Sequence, residues 1–133
     1  MKQTQYGMAI TFDGSPEEAE AAITEALKTV GFGVLTRIDV ADTLKKKIDV
    51  ERPPYTILGA CNPKLANRAL SIEPEIGLLL PCNVIVYRDG DGATVVSVID
   101  PSAMAGMSDN PQLQALVEEA KPLLQQALAS LGN

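Results

Sequence analysis

Three dipeptides set the frame of this chain: Ser15-Pro16, Asn62-Pro63 and Asn110-Pro111. Each joins an N-capping side chain to a proline suited to the first turn of a helix. There the missing N–H costs nothing and φ is already helical. Helices are therefore expected to start at these three points, and the apolar runs outside them are read as strands.

The first start signal is the most complete. Ser15-Pro16-Glu17-Glu18 reads as a capping box, and Ala19, Ala22, Ile23, Ala26, Leu27 and Val30 continue it at helical spacing. Gly31 is placed to stop this helix in the left-handed conformation, with Phe32 supplying the accompanying apolar contact. Before it, residues 4–12 alternate, with Tyr6, Met8, Ile10 and Phe12 on one face of a strand. After it, Gly33 to Val40 reads as a second strand with Val34 and Ile38 sharing a face. Asp42 or Thr43 opens a short helix carrying Leu44 and Ile48, which Pro53-Pro54 closes.

Tyr55 to Ala60 is a third strand, and the helix from Asn62 shows Leu65, Ala66, Ala69 and Leu70 on one face. Leu78 to Tyr87 is a long apolar strand, joined by the hairpin signal Asp89-Gly90-Asp91-Gly92 to a Val-rich partner from Thr94 to Ile99. The last helix repeats Leu113, Leu116, Val117, Ala120, Leu124 and Leu128, with Pro122 expected to kink it on the solvent side. The sum is one α+β domain over residues 1–133. It has a mostly antiparallel sheet with helices packed on one face, in two layers.

Composition removes whole classes of chemistry. The chain has no His, which excludes Ser–His–Asp and Cys–His catalysis and any His-ligated zinc or haem. Its two Cys cannot complete a four-thiolate cluster within one chain. Seventeen acidic against eleven basic residues leave a net charge of −6, which repels nucleic-acid phosphates, and aromatics are too few, at 4%, for base stacking. No nucleic-acid partner is expected. The start, Met1 to Gln5, lacks an apolar leader, and the run from Ile76 to Val86 is too short to span a bilayer. The expectation is a cytoplasmic chain with reduced thiols and no membrane partner.

Chemistry is expected around the two cysteines. Cys61 stands where a strand gives way to the helix of Asn62-Pro63. Its thiol should feel the positive helix end and the nearby Lys64 and Arg68, which favours the thiolate. The same helix end, with Lys64 and Arg68 four residues apart, is an anion seat. Pro81 implies an edge, a bulge or a strand start beside Cys82, which alternation puts on the core face and Asn83 on the other. If the two strands are antiparallel neighbours, Cys61 and Cys82 meet; a parallel arrangement would separate them. Together they are candidate soft-metal ligands or a redox pair.

Against each of these stands the plain reading of a packed thiol and a helix cap. Other candidates are weaker. Asp39 and Asp100 sit at strand ends without a partner, and Lys45-Lys46-Lys47 is a solvated face or a seat for an acidic partner. Met104 and Met107 have a spacing that suits Cu(I), though packing or a mobile lid competes. Asp89-x-Asp91 fails as a calcium loop because Thr94 stands where glycine is required.

Three stretches carry a resemblance: 31–40 (GFGVLTRIDV), 55–63 (YTILGACNP) and 77–84 (GLLLPCNV). In that order they resemble the family known as domain of unknown function 302, over nearly the whole chain. The resemblance implies a small β-α-β(4)-α domain akin to the TATA-binding-protein fold, often a homodimer. It implies no activity and transfers no catalytic residue. It draws attention to Asp39, Lys47, Cys61, Asn62, Cys82 and Asn83, and association of relatives with sulfur-handling domains adds to the thiol reading.

The function expected is a non-enzymatic binding module. Its pocket would be formed by Cys61, Asn62, Lys64, Arg68, Cys82 and Asn83, for a small anion, sulfur species or soft metal, with no cofactor identified. The alternatives are a sulfur-transfer or redox enzyme using Cys61, and an interaction domain in which both Cys are packing.

Overall fold

The alternating runs assemble into one six-stranded sheet. The computed structural model describes residues 1–132, without the side chains of Met104 and Ala105. The strands are β1 (Lys2–Gln3), β2 (Gly7–Phe12), β3 (Gly33–Asp39), β4 (Tyr55–Cys61), β5 (Cys82–Arg88) and β6 (Thr94–Ile99). The helices are α1 (Pro16–Thr29), α2 (Val40–Ile48), α3 (Pro63–Ile72), α4 (Pro101–Ala105) and α5 (Pro111–Ala129). The sheet order is β1-β2-β6-β5-β4-β3, and every pairing is antiparallel. The expected α+β class with a mostly antiparallel sheet is therefore what the chain forms, with the tiny β1 and the five-residue α4 added to it.

Period-two alternation decides which side chains meet the helices. Met8, Ile10, Leu58, Val84, Val86, Val96 and Val98 are buried on one sheet face. Against them lie Ala19, Ile23 and Leu27 of α1 and Leu124, Ala127 and Leu128 of α5. α1 begins as its sequence dictates: Ser15 Oγ accepts from the Glu18 N–H, and the Ser15 N–H donates back to Glu18. That bond also lowers the Glu18 carboxyl below its ordinary value. α1 ends at Gly31, φ 88°, where the Phe32 N–H reaches the Leu27 carbonyl and the Phe32 ring is buried.

Four details depart from expectation. α2 opens at Val40 rather than at Asp42 or Thr43, because the Asp39 carboxylate accepts from the Asp42 N–H and caps the helix there. Tyr6 precedes β2 and is 74% exposed, because the strand starts only at Gly7. β3 carries a bulge between Val34 and Thr36, so the extra residue, Leu35, reverses the alternation. Val34 therefore opposes Ala60 on the core side, while Ile38 opposes Ile57 on the other side and is 49% exposed. The run from Leu78 does not enter the sheet at once. Residues Pro74–Leu79 form a 3₁₀ turn, and β5 starts directly after Pro81, which has no N–H for the ladder. Pro122 lies inside the continuous helix α5 at an exposed position, on the solvent side as expected.

Candidate functional site

The antiparallel pairing of β4 and β5 sets the geometry around the thiols. Ala60 lies opposite Cys82, so Cys61, the next residue, ends its strand beside the start of the other. Cys61 and Cys82 both line a cleft of about 90 Å³ between the sheet end, α3, the 3₁₀ turn and α5. Gly59 belongs to this arrangement, since a Cβ there would strike Thr36 Oγ1 and Pro81 Cγ.

The two thiols differ. Cys61 is half-buried, whereas Cys82 is buried, 8% exposed. Burial, and to a smaller degree the neighbouring Cys61 thiol, pushes the Cys82 thiol from 9.0 up to about 11. Cys82 is thus protonated at neutral pH. Among the described residues no group of three or more Cys, Asp or Glu could hold a metal ion.

Asn62 joins the cleft but is occupied as the α3 cap. Its Oδ1 accepts from the Leu65 N–H at 3.2 Å, and its carbonyl accepts from the Ala66 N–H at 2.9 Å. Pro63 has no N–H, so little of the helix end remains to greet an anion. Lys64 and Arg68 are exposed and are not among the residues lining the cleft. Arg68 grips Glu119 of α5 with two hydrogen bonds of 3.0 and 2.8 Å. That contact raises the guanidinium and lowers the Glu119 carboxyl. Asn83 opposes Gly59 on the far sheet face and is exposed, also away from the cleft. Of the six expected residues, the fold brings Cys61, Asn62 and Cys82 together and leaves Lys64, Arg68 and Asn83 outside.

The secondary candidates lie elsewhere. Asp39 caps α2 by accepting from the Asp42 N–H at 2.9 Å. It lines a second, polar cleft of about 250 Å³ with Glu17, Glu20, Arg37 and Arg52. Lys47 is exposed on α2, away from both clefts. Asp100 is buried, which raises its carboxyl, but the Ser102 N–H and the Lys121 ammonium at 3.1 Å outweigh this and hold it below the usual range. The Met104 side chain lies outside the described residues, and Met107 is 74% exposed.

Sequence reasoning missed the walls of the first cleft. Leu113, Leu116, Val117 and Ala120 of α5 and Ile76 and Leu80 of the turn line it. The helical spacing of the α5 residues was visible, but spacing alone does not tell a cleft wall from a packed core.

The sequence pattern of the domain of unknown function DUF302 matches residues 8–131. The chain belongs to the DUF302 family. A crystal structure of an uncharacterized conserved DUF302 protein from Bacillus stearothermophilus superposes with a TM-score of 0.86. The two are 29% identical, over 94% of this chain and 97% of that one. An uncharacterized protein of Aquifex aeolicus is 26% identical over 120 residues, 87% of this chain and 77% of its own. A Brucella suis protein named fluoride-specific ion channel FluC 1 is 27% identical over 108 residues. This DUF302 chain spans about two fifths of the length of the Brucella channels it matches. Among its own described residues no helix is long and apolar enough to cross a membrane.

Proposed function

We propose that this DUF302 domain is a non-enzymatic binding module that holds a small soft ligand in the cleft at Cys61 and Cys82. One observation carries the reading: Cys61 and Cys82, from two neighbouring antiparallel strands, line the same cleft. A sulfur species suits it better than a soft metal, because burial holds Cys82 protonated and a metal would have to displace that proton. Binding suits it better than sulfur-transfer catalysis, because no charged residue lines the cleft to serve Cys61 as a base. An inorganic anion is poorly served, since Arg68 is engaged with Glu119 and Lys64 lies outside the cleft lining.

Native mass spectrometry of gently purified protein, followed by denaturation of the same sample, tests the reading. Extra mass that vanishes on denaturation, and is absent in Cys61→Ser and Cys82→Ser, is the expected result. A bare chain, and no gain of mass with any sulfur species offered, would overturn it.

A second reading, an interaction domain, is favoured by the far face of the sheet. That face presents Ala9, Ile38, Ile57, Ile85 and Tyr87, with Thr11, Thr36, Asn83 and Ser97 among them and Lys2 of β1, opposite Ala9, as the charged strand residue at its edge. In a chain of net charge −6 this is a surface of low charge suited to a second copy, forming a homodimer. The likeness to part of the fluoride-channel proteins suggests, alternatively, a domain that works beside a membrane protein. The same native spectrum reads monomer against dimer, and a monomer at high micromolar concentration would remove the homodimer.

A further inference from the structure

We infer that the ligand of the cleft is a small uncharged aliphatic thiol, lying with its carbon chain between α3 and α5 and its sulfur beside Cys61 and Cys82. This rests on the soft-ligand reading and names the class of ligand.

The walls argue for the carbon chain. Leu65 and Ala69 of α3, Ile76 of the turn, and Leu116, Val117 and Ala120 of α5 face one another across the cleft. No described lining residue is charged. Among the polar lining groups, Asn62 Oδ1 accepts from the Leu65 N–H and Ser108 Oγ from the Asn110 N–H at 3.2 Å, which leaves the Asn62 amide and Ser108 hydroxyl hydrogens as the few side-chain donors. A charged or strongly hydrated ligand would lose water here and recover few hydrogen bonds, which weakens its binding by about tenfold or more. An aliphatic chain loses nothing of that kind and gains from every methylene it buries.

Size and surroundings agree. The cleft of about 90 Å³ is smaller than the ~150 Å³ apolar cavity that accepts benzene, which limits the enclosed part to a chain of about four carbons. Chain positions beside the lining residues also carry exposed apolar side chains. Leu70, 43% exposed, follows the lining Ala69; Leu78, 83% exposed, stands between Ile76 and Leu80; and Met107, 74% exposed, precedes the lining Ser108. Three exposed apolar side chains within two residues of lining positions offer a longer chain somewhere to continue. The two cysteines provide the only soft atoms among the described lining residues, and sulfur–sulfur and weak S–H contacts suit a neutral thiol better than a hydrated anion.

The test is a methyl-resolved NMR titration of the reduced full chain with butanethiol. Mercaptoethanesulfonate, a thiol of similar length carrying a charge, and butanol are run in parallel. Butanethiol should shift the methyls of Ala66, Ala69, Leu116 and Ala120 saturably, with mercaptoethanesulfonate and butanol weaker by about tenfold or more. The cleft-filling variants Ala69→Leu and Ala120→Leu should each lose that response while melting as folded proteins; either one suffices if the other fails to fold. Equal or tighter binding of the charged thiol would overturn the aliphatic class while leaving the soft-ligand reading intact. Equal binding of butanol would remove the role of sulfur. Unchanged butanethiol binding in a folded filling variant would move the ligand out of this cleft. If no thiol binds and the purified protein is bare, both readings fall together.

Discussion

The dipeptide Cys-Asn occurs twice, and the fold uses the two copies in opposite ways. At Cys61-Asn62 the chain leaves the sheet: the thiol ends β4 half-buried, and the amide turns to cap α3. At Cys82-Asn83 the chain enters the sheet: the thiol is buried on the core face, and the amide is exposed on the other. The same pair of side chains is a helix start in one place and a strand alternation in the other. The difference lies in the residues immediately C-terminal to each pair, Pro63 in the first case and Val84-Ile85-Val86 in the second. Local composition offers the groups, and the direction of the backbone assigns their work.

Four measurements can break or sharpen that contrast. The largest effect is expected from pH. The Cys82 thiol titrates near 9.0 when unfolded and near 11 when folded, so its protonated form is fully favourable below about pH 9. That contribution is lost as pH rises through about 11 and amounts to about 2 to 3 kcal/mol. Urea unfolding at pH 8 and pH 11 should show wild type losing that much more than Cys82→Ala; parallel losses would mean Cys82 is not desolvated. Next, Cys82→Ser puts a hydroxyl where no partner waits, and should cost about 1 to 2 kcal/mol, whereas Cys61→Ser should cost about 0.5 or less. Equal costs in chemical denaturation would erase the distinction.

The two asparagines should separate by a smaller margin. Asn62→Ala removes the α3 cap and should cost about 1 kcal/mol, while Asn83→Ala should stay within about 0.5 kcal/mol. A larger loss at Asn83 would show that the exposed amide has a structural partner after all. Last comes a difference in access that leaves stability untouched. Brief alkylation of the native protein at neutral pH, mapped by peptide mass, should modify Cys61 well before Cys82. Labelling at equal rates would place both thiols in the same surroundings.

Much of the fold was legible because its signals are local. Ser15, Glu18 and Gly31 delimit α1 within a few residues, and each works through bonds to its own neighbourhood. Asp89 and Gly92 do the same for the β5–β6 hairpin, where Asp89 Oδ1 accepts from two turn N–H groups. The meeting of Cys61 with Cys82 was legible only as one of two arrangements, because strand direction is a property of the whole sheet. The fate of Arg68 was not legible at all. Its partner Glu119 lies 51 residues away on α5, and nothing in the spacing of Lys64 and Arg68 announces it. The apolar cleft was hidden for a similar reason, since its walls come from α3, a 3₁₀ turn and α5 at once.

The bulge at Leu35 has a consequence for how this chain tolerates change in length. Before it, β3 sends Val34 towards the core; after it, Arg37 takes the core side and bonds Glu20 of α1 at 2.6 Å. One strand thereby serves an oily neighbourhood at one end and an ionic one at the other. Deleting Leu35 would leave Val34, Thr36, Arg37 and Ile38 in plain alternation opposite the partners they already have, so the bulge would vanish and both faces downstream would be kept. The strand therefore carries one residue of slack: a loss of one at the bulge is absorbed, whereas a loss of one beyond Arg37 would exchange the two sides.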